Sequence, residues 1–221
     1  MTEHIADHML GAIDPDMTER LTVNKRDLFR QAALRLGGLA SVPLVLAAAS
    51  TAAFAGGIPK KIVDVLNFAL SLEYIENGFY STGLKKGVVP ARYQSIFRII
   101  ALHEAQHVAF LKSALGSAAV KPPRADFTAG GKYVDVFSNF KTFLTLSQTF
   151  EDLGVAAYKG QAGNLIANGD ILTAALQIHS VEARHAAEVR RIGGKKAWHG
   201  AFDAPLSKAA VLAAATPFLK A

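Results

Sequence analysis

Apolar positions recur three and four residues apart in four long stretches of this chain, the spacing of helices with one buried face. Ile62, Leu66, Ala69, Leu70, Tyr80 and Leu84 share one stripe with Asn77, and Phe97, Ile100, Ala101, Val108 and Leu111 share a second. Phe140, Leu144, Val155, Tyr158 and Ala162 form a third, and Ile171, Ala175, Ile178 and Val189 a fourth. No convincing alternating strand pattern competes. Breakers set the boundaries: Pro59 to Gly87 for the first helix, Pro90 to Gly116 for the second, about Val136 to Ala167 for the third. The Asn168-Gly169-Asp170 turn leads into a fourth helix that Gly193-Gly194 stops. Residues 117–134, with Pro122-Pro123 and Gly130-Gly131, read as a loop long enough to cross the bundle. Residues 205–219 predict a short closing helix starting near Pro205. The fold class is all-α: two helical hairpins joined by a long crossover, plus a short C-terminal helix.

Each apolar stripe is interrupted by a glutamate. Glu73, Glu104, Glu151 and Glu182 lie at positions that share a face with the residues above. A bare carboxylate in a core costs several kcal/mol unless it is paired, protonated or bound to metal. His107 follows Glu104 by three residues, and His185 follows Glu182 by three. Glu73 precedes Glu104 by the same interval as Glu151 precedes Glu182, so the halves superimpose at an offset of 78 residues, as do Tyr80 and Tyr158. With 8 Glu and 7 His in 221 residues, chance gives about 0.25 Glu-x-x-His pairs. Two pairs in register with a second pair of Glu are the ligand set of a two-metal carboxylate site.

Composition narrows the chemistry. The chain has no Cys, which excludes disulfides, thiolate metal sites, a catalytic thiol and a lipid-anchored lipoprotein. Carboxylate and imidazole remain as metal ligands. From residue 56 onward there are 19 Lys and Arg against 12 Asp and Glu. Pairs such as Lys85-Lys86, Arg190-Arg191 and Lys195-Lys196 read as solvated helix ends. No nucleic-acid motif or aromatic interleaving accompanies them, so no nucleic-acid partner is expected.

Residues 1–55 read separately from a helical domain at 56–221. Asn24-Lys25-Arg26-Asp27-Leu28-Phe29-Arg30 leads into an uncharged run from Leu36 to Ala55 that ends in Ala53-Phe54-Ala55. A basic region, an apolar region and a small-x-small ending are the pattern of an export signal. This one resembles a twin-arginine signal, with Lys25 in place of the first arginine and Leu28-Phe29 inverting the usual pair. The expected location is periplasmic or extracellular. The alternative is an uncleaved anchor at residues 36–55, the only membrane contact expected.

Residues 58–219 resemble the bacterial ferritin-like domain family that includes desiccation-related proteins. The resemblance rests on Asn67 to Tyr80, His103-Glu104-Ala105-Gln106-His107, Glu151 to Tyr158, Glu182-Ala183-Arg184-His185 and the tail from Ala201 to Leu219. It implies a ferritin-like four-helix bundle and a two-metal centre, but not one activity, since such folds host storage, oxidation, peroxide removal and hydroxylation.

Coordination chemistry assigns the roles. Glu104 and Glu182 would bridge two metal ions, Glu73 and Glu151 would each cap one, and His107 and His185 would each supply one nitrogen. Hard carboxylates with one imidazole per ion suit Fe or Mn over a closed Zn site. Each imidazole should donate its other N–H to a second acceptor, with Asp152 or Glu76 as candidates. Glu76 is also the rival to Glu73; the offset favours Glu73, because Glu76 maps onto Gly154. Tyr80 and Tyr158 are either core tyrosines with hydrogen-bonded hydroxyls or catalytic groups that reduce an oxidised centre. His179 reads as a surface or core histidine with an entry-path role as the alternative. His103 points about 100° from Glu104 and is not expected to be a ligand; Trp198 and His199 read as packing residues. Three functions fit: a redox enzyme acting on O2 or peroxide in oxidative or stress defence, an iron-sequestering cage built as a homo-oligomer, and a non-catalytic stress-protection protein with a structural site.

Overall fold

The computed structural model describes residues 57–198 and 200–220; the export-signal reading of residues 1–55, and His199, lie outside them. Among the described residues there are five α-helices: α1 Lys60–Lys86, α2 Gln94–Leu115, α3 Phe140–Leu165, α4 Gly169–Ile192 and α5 Lys208–Ala215. α1 pairs with α2 and α3 with α4, α1 packs along α3, and α5 lies on α3. This is the all-α bundle of two hairpins with a crossover and a short last helix. Among the described residues no helix is long and apolar enough to cross a membrane.

Helix ends follow local chemistry. Gly87 closes α1 in a left-handed conformation, its N–H reaching Gly83 and Leu84 carbonyls. The Asn168 side chain accepts from Ile171 N and caps α4, and Ser207 does the same for α5 through Ala210 N. Two boundaries differ from expectation. α3 starts at Phe140, not Val136, because Asn139 is extended and its side chain accepts from Lys141 N. Val136 instead lies in a run of turns and is buried against the aromatic core; its hydrophobicity serves the loop. Pro205 precedes the last helix, which starts at Lys208 and ends in a 3-10 turn at Thr216–Phe218.

The crossover is held by the tail. Asp126 N donates to Phe218 O at 2.7 Å, Lys220 N donates to Arg124 O at 2.8 Å, and Ala125 and Leu219 form an antiparallel bridge. The tail also crosses α3, where Leu206 N donates to Ala156 O at 3.0 Å. At that crossing residue 160 must be glycine: a Cβ there would stand 1.8 Å from Leu206 O.

The core has two unlike ends. One is aliphatic, around Val65, Leu66, Leu111, Leu165 and Ile171. The other is aromatic, with Phe79, Phe97, Phe143 and Phe150 packed together. Phe79 stacks on Phe143 at 4.6 Å and meets Phe150 edge-on at 5.0 Å. Between the two ends lies a layer of polar side chains.

Candidate metal centre

That layer gathers all six residues expected from the spacing. Glu73 (α1), Glu104 and His107 (α2), Glu151 (α3), and Glu182 and His185 (α4) are buried, the four carboxylates completely. Glu73, Glu104, His107 and Glu182 place one ligand atom each within 4.8 Å of one another, and so do Glu104, Glu151, Glu182 and His185. Glu104 and Glu182 belong to both groups.

The atoms show how the two groups share them. His107 Nδ1 lies 3.2 Å from Glu73 Oε2, 3.3 Å from Glu104 Oε2 and 3.0 Å from Glu182 Oε1. His185 Nδ1 lies 2.9 Å from Glu104 Oε1, 3.4 Å from Glu151 Oε2 and 4.0 Å from Glu182 Oε2. Glu104 and Glu182 thus turn one oxygen toward each imidazole, while Glu73 and Glu151 each face only one. A single Nδ1 hydrogen cannot serve three carboxylates. Glu104 Oε1, Glu151 Oε2, both oxygens of Glu182 and His185 Nδ1 are buried with no hydrogen bond of sound geometry. Unsatisfied buried oxygens around two focal points are the surroundings that metal ions could satisfy.

The outer oxygens of the capping carboxylates are held across the bundle. Tyr158 of α3 donates to Glu73 Oε1 of α1, and Tyr80 of α1 donates to Glu151 Oε1 of α3, both at 2.5 Å. The 78-residue repeat therefore appears in space as reciprocal hydrogen bonds. Each leaves Oε2 of the capping glutamate turned toward its imidazole. The tyrosines are core residues with bonded hydroxyls, and both phenols are raised well above their usual range by burial and by the carboxylate they contact.

Without cations, protons balance the carboxylates. Burial opposes charge on His185, but the close approach of the Glu104 and Glu151 carboxylates outweighs it and raises the imidazole to about 10. Burial also opposes charge on His107, where the Glu73 carboxylate, contacts with Glu104 and the nearby Glu182 oxygen raise it further. Burial lifts Glu104 to about 7 against the pull of both imidazoles. Burial and the charges of Glu104 and Glu73 hold Glu182 well above the usual carboxylate range. Glu73 is buried too, yet His107 keeps it below that range.

The surroundings differ from expectation at Asp152 and at His103. Asp152 is not an imidazole partner: it pairs with Arg190 at 2.5 Å and accepts from Gln148. The outer partner of His185 is His103, whose Nδ1 lies 2.9 Å from His185 Nε2. Rotation on the helix turns His103 away from Glu104, but it could not reveal contact with a different helix. The position related to His103 by the repeat is Val181, which offers no such bond, so the two halves differ here. Glu76 is buried beside the cluster, raised by burial and by the charge of Glu182. Its carboxylate occupies room that its counterpart Gly154 leaves open, since a Cβ at 154 would lie 3.1 Å from Glu76 Oε1 and 3.3 Å from Glu182 Oε2.

Two further residues stand apart. His179 is within electrostatic reach of Lys159 and Asp203 and outside both ligand groups. Trp198 is 73% exposed, so it is not the packing residue expected. Residues 61–195 match the family described as a ferritin-like domain. No curated protein matches the chain.

Proposed function

The chain belongs to the ferritin-like domain family, and from that premise we propose that it holds a carboxylate-bridged pair of Fe or Mn ions that reacts with O2 or peroxide. The observation that carries this reading is the sharing of Glu104 and Glu182, each with one oxygen beside each imidazole. When bound, such a pair supplies electrons to an oxidant, and two ions side by side share the charge change. The chain does the rest. Glu104 and Glu182 hold the two positions at a fixed separation. Glu73 with His107, and Glu151 with His185, complete one position each. Tyr158 and Tyr80 fix the capping carboxylates by donating to Glu73 Oε1 and Glu151 Oε1. The aliphatic and aromatic ends exclude bulk water from both sides.

The setting we propose is oxidative or stress defence outside the cytoplasm; the basic-then-apolar pattern of residues 24–55 supports that location. The test is metal content by elemental mass spectrometry after loading with Fe or Mn. The expected value is about two ions per chain, falling well below that in both Glu104→Ala and Glu182→Ala. Consumption of O2 or peroxide by the loaded protein separates a redox centre from a structural one, and a large particle in light scattering points to storage. No bound metal after loading with either ion, or unchanged stoichiometry in both variants, sinks the proposal.

A further inference from the structure

The 78-residue repeat pairs the two ends of the core residue by residue, and the pairs do not match in size. Phe79, Phe97, Phe143 and Phe150, which fill the aromatic end, correspond to Ala157, Ala175, Val65 and Leu72. All four smaller residues line one cavity at the aliphatic end. Where one half of the bundle has a plug of rings, the other has a hole.

The hole adjoins the Glu73–His107 half of the centre. Tyr158, which donates to Glu73, forms part of its wall, and Leu111 and Ile178 lie one turn from His107 and Glu182. It leaves about 20 Å³ in which the centre of a water-sized molecule can move. That exceeds the roughly 10–15 Å³ one water needs, and suits a diatomic molecule. Its lining is apolar except for Tyr158 and Gln161. The Tyr158 hydrogen is committed to Glu73, and Gln161 Oε1 accepts from Asn164. A buried water needs two to four partners, peroxide brings two O–H donors of its own, and only Gln161 and the Tyr158 oxygen remain to meet them, so both are received less well than an apolar molecule. Dioxygen needs none.

We propose that this chamber admits and holds dioxygen beside the Glu73–His107 position, and that peroxide does not use it. The proposal rests on the redox reading above and names its oxidant. The repeat also supplies the variant: Ala157→Phe with Ala175→Phe would place two of the four rings in the chamber, and Ala175→Leu alone is a milder filling should the double variant fail to fold.

Xenon, an apolar atom that enters dry cavities, is the probe. Crystals of the metal-loaded protein under xenon pressure should show it among Val65, Leu72, Ala157 and Ala175, and the filled variants should not. In stopped flow, the reduced, metal-loaded variants should react with O2 about tenfold more slowly or worse, as expected when access limits the rate. Their reaction with hydrogen peroxide should not change. Absence of xenon from the unmodified chamber overturns the proposal. So does an unchanged O2 rate in a variant that excludes xenon, or equal slowing with peroxide. Metal content measured on the same samples keeps the two readings apart. Metal without xenon overturns the chamber alone, whereas xenon without metal overturns the redox centre and the delivery role with it.

Discussion

Two glutamates facing two imidazoles define the centre at the scale of single residues, and their helical neighbours made them legible. A carboxylate interrupting an apolar stripe points to its own burial, so Glu73, Glu104, Glu151 and Glu182 could be read from spacing alone. His103 could not, because its contact with His185 joins α2 to α4 and leaves no trace in the periodicity of either. That contact has a consequence for tautomer. If His185 Nε2 carries the hydrogen and donates to His103, its Nδ1 lone pair is free to face a cation. His103→Ala should therefore weaken metal at the Glu151–His185 position by about 10- to 100-fold and spare the other. Calorimetric titration would show one of two binding steps shift, with partial recovery in His103→Gln; equal weakening of both steps would refute the assignment. Protons at the same residues set a pH dependence. His185 is raised from 6.5 to about 10, so the native state keeps a proton that the unfolded chain gives up near 6.5. This stabilisation is complete below about 6.5 and lost as pH rises through about 10. Glu104, raised from 4.5 to about 7, acts in the same direction over its lower window. The urea midpoint of the metal-free protein should fall as pH rises across these ranges, while metal affinity increases because ions displace the protons.

Helices, turns and crossings were legible to different degrees. Pro59, Gly87, the Asn168 turn and Gly193 mark ends because backbone chemistry acts locally. The start of α3 was misplaced by four residues because Val136 and Phe137 are apolar for the loop's sake, packed beneath the crossover and not along a helix. The crossing of the tail over α3 was invisible in sequence, although Gly160 is its mark. Gly160→Ala should push the Leu206 backbone off α3, since its Cβ would overlap Leu206 O. A loss of about 1–3 kcal/mol is expected, read as a lower thermal midpoint with metal stoichiometry retained, because the crossing is not part of the ligand layer. An unchanged midpoint would mean that the tail contributes nothing to stability.

As a whole, the molecule is two hairpins whose internal likeness extends from spacing to reciprocal hydrogen bonds, and whose differences, His103 against Val181 and four rings against a hole, are the features sequence periodicity alone did not disclose. Neither hairpin carries a complete ligand set. The Glu73–His107 position borrows Glu182 from the second hairpin, and the Glu151–His185 position borrows Glu104 from the first. Metal should therefore stabilise the molecule globally. At a hundredfold excess over Kd the gain is about 2.7 kcal/mol, or roughly 5–10 °C in thermal midpoint for a chain of this size. A chelator should reverse that shift, and scanning calorimetry of apo and loaded protein would read it directly. The borrowed ligands also make the hairpins a lock with two keys. On the proposed reading, a chain nicked in the exposed stretch around Gly130–Lys132 should leave two peptides that divalent ions help to hold together, a split reporter whose halves part more readily in chelator.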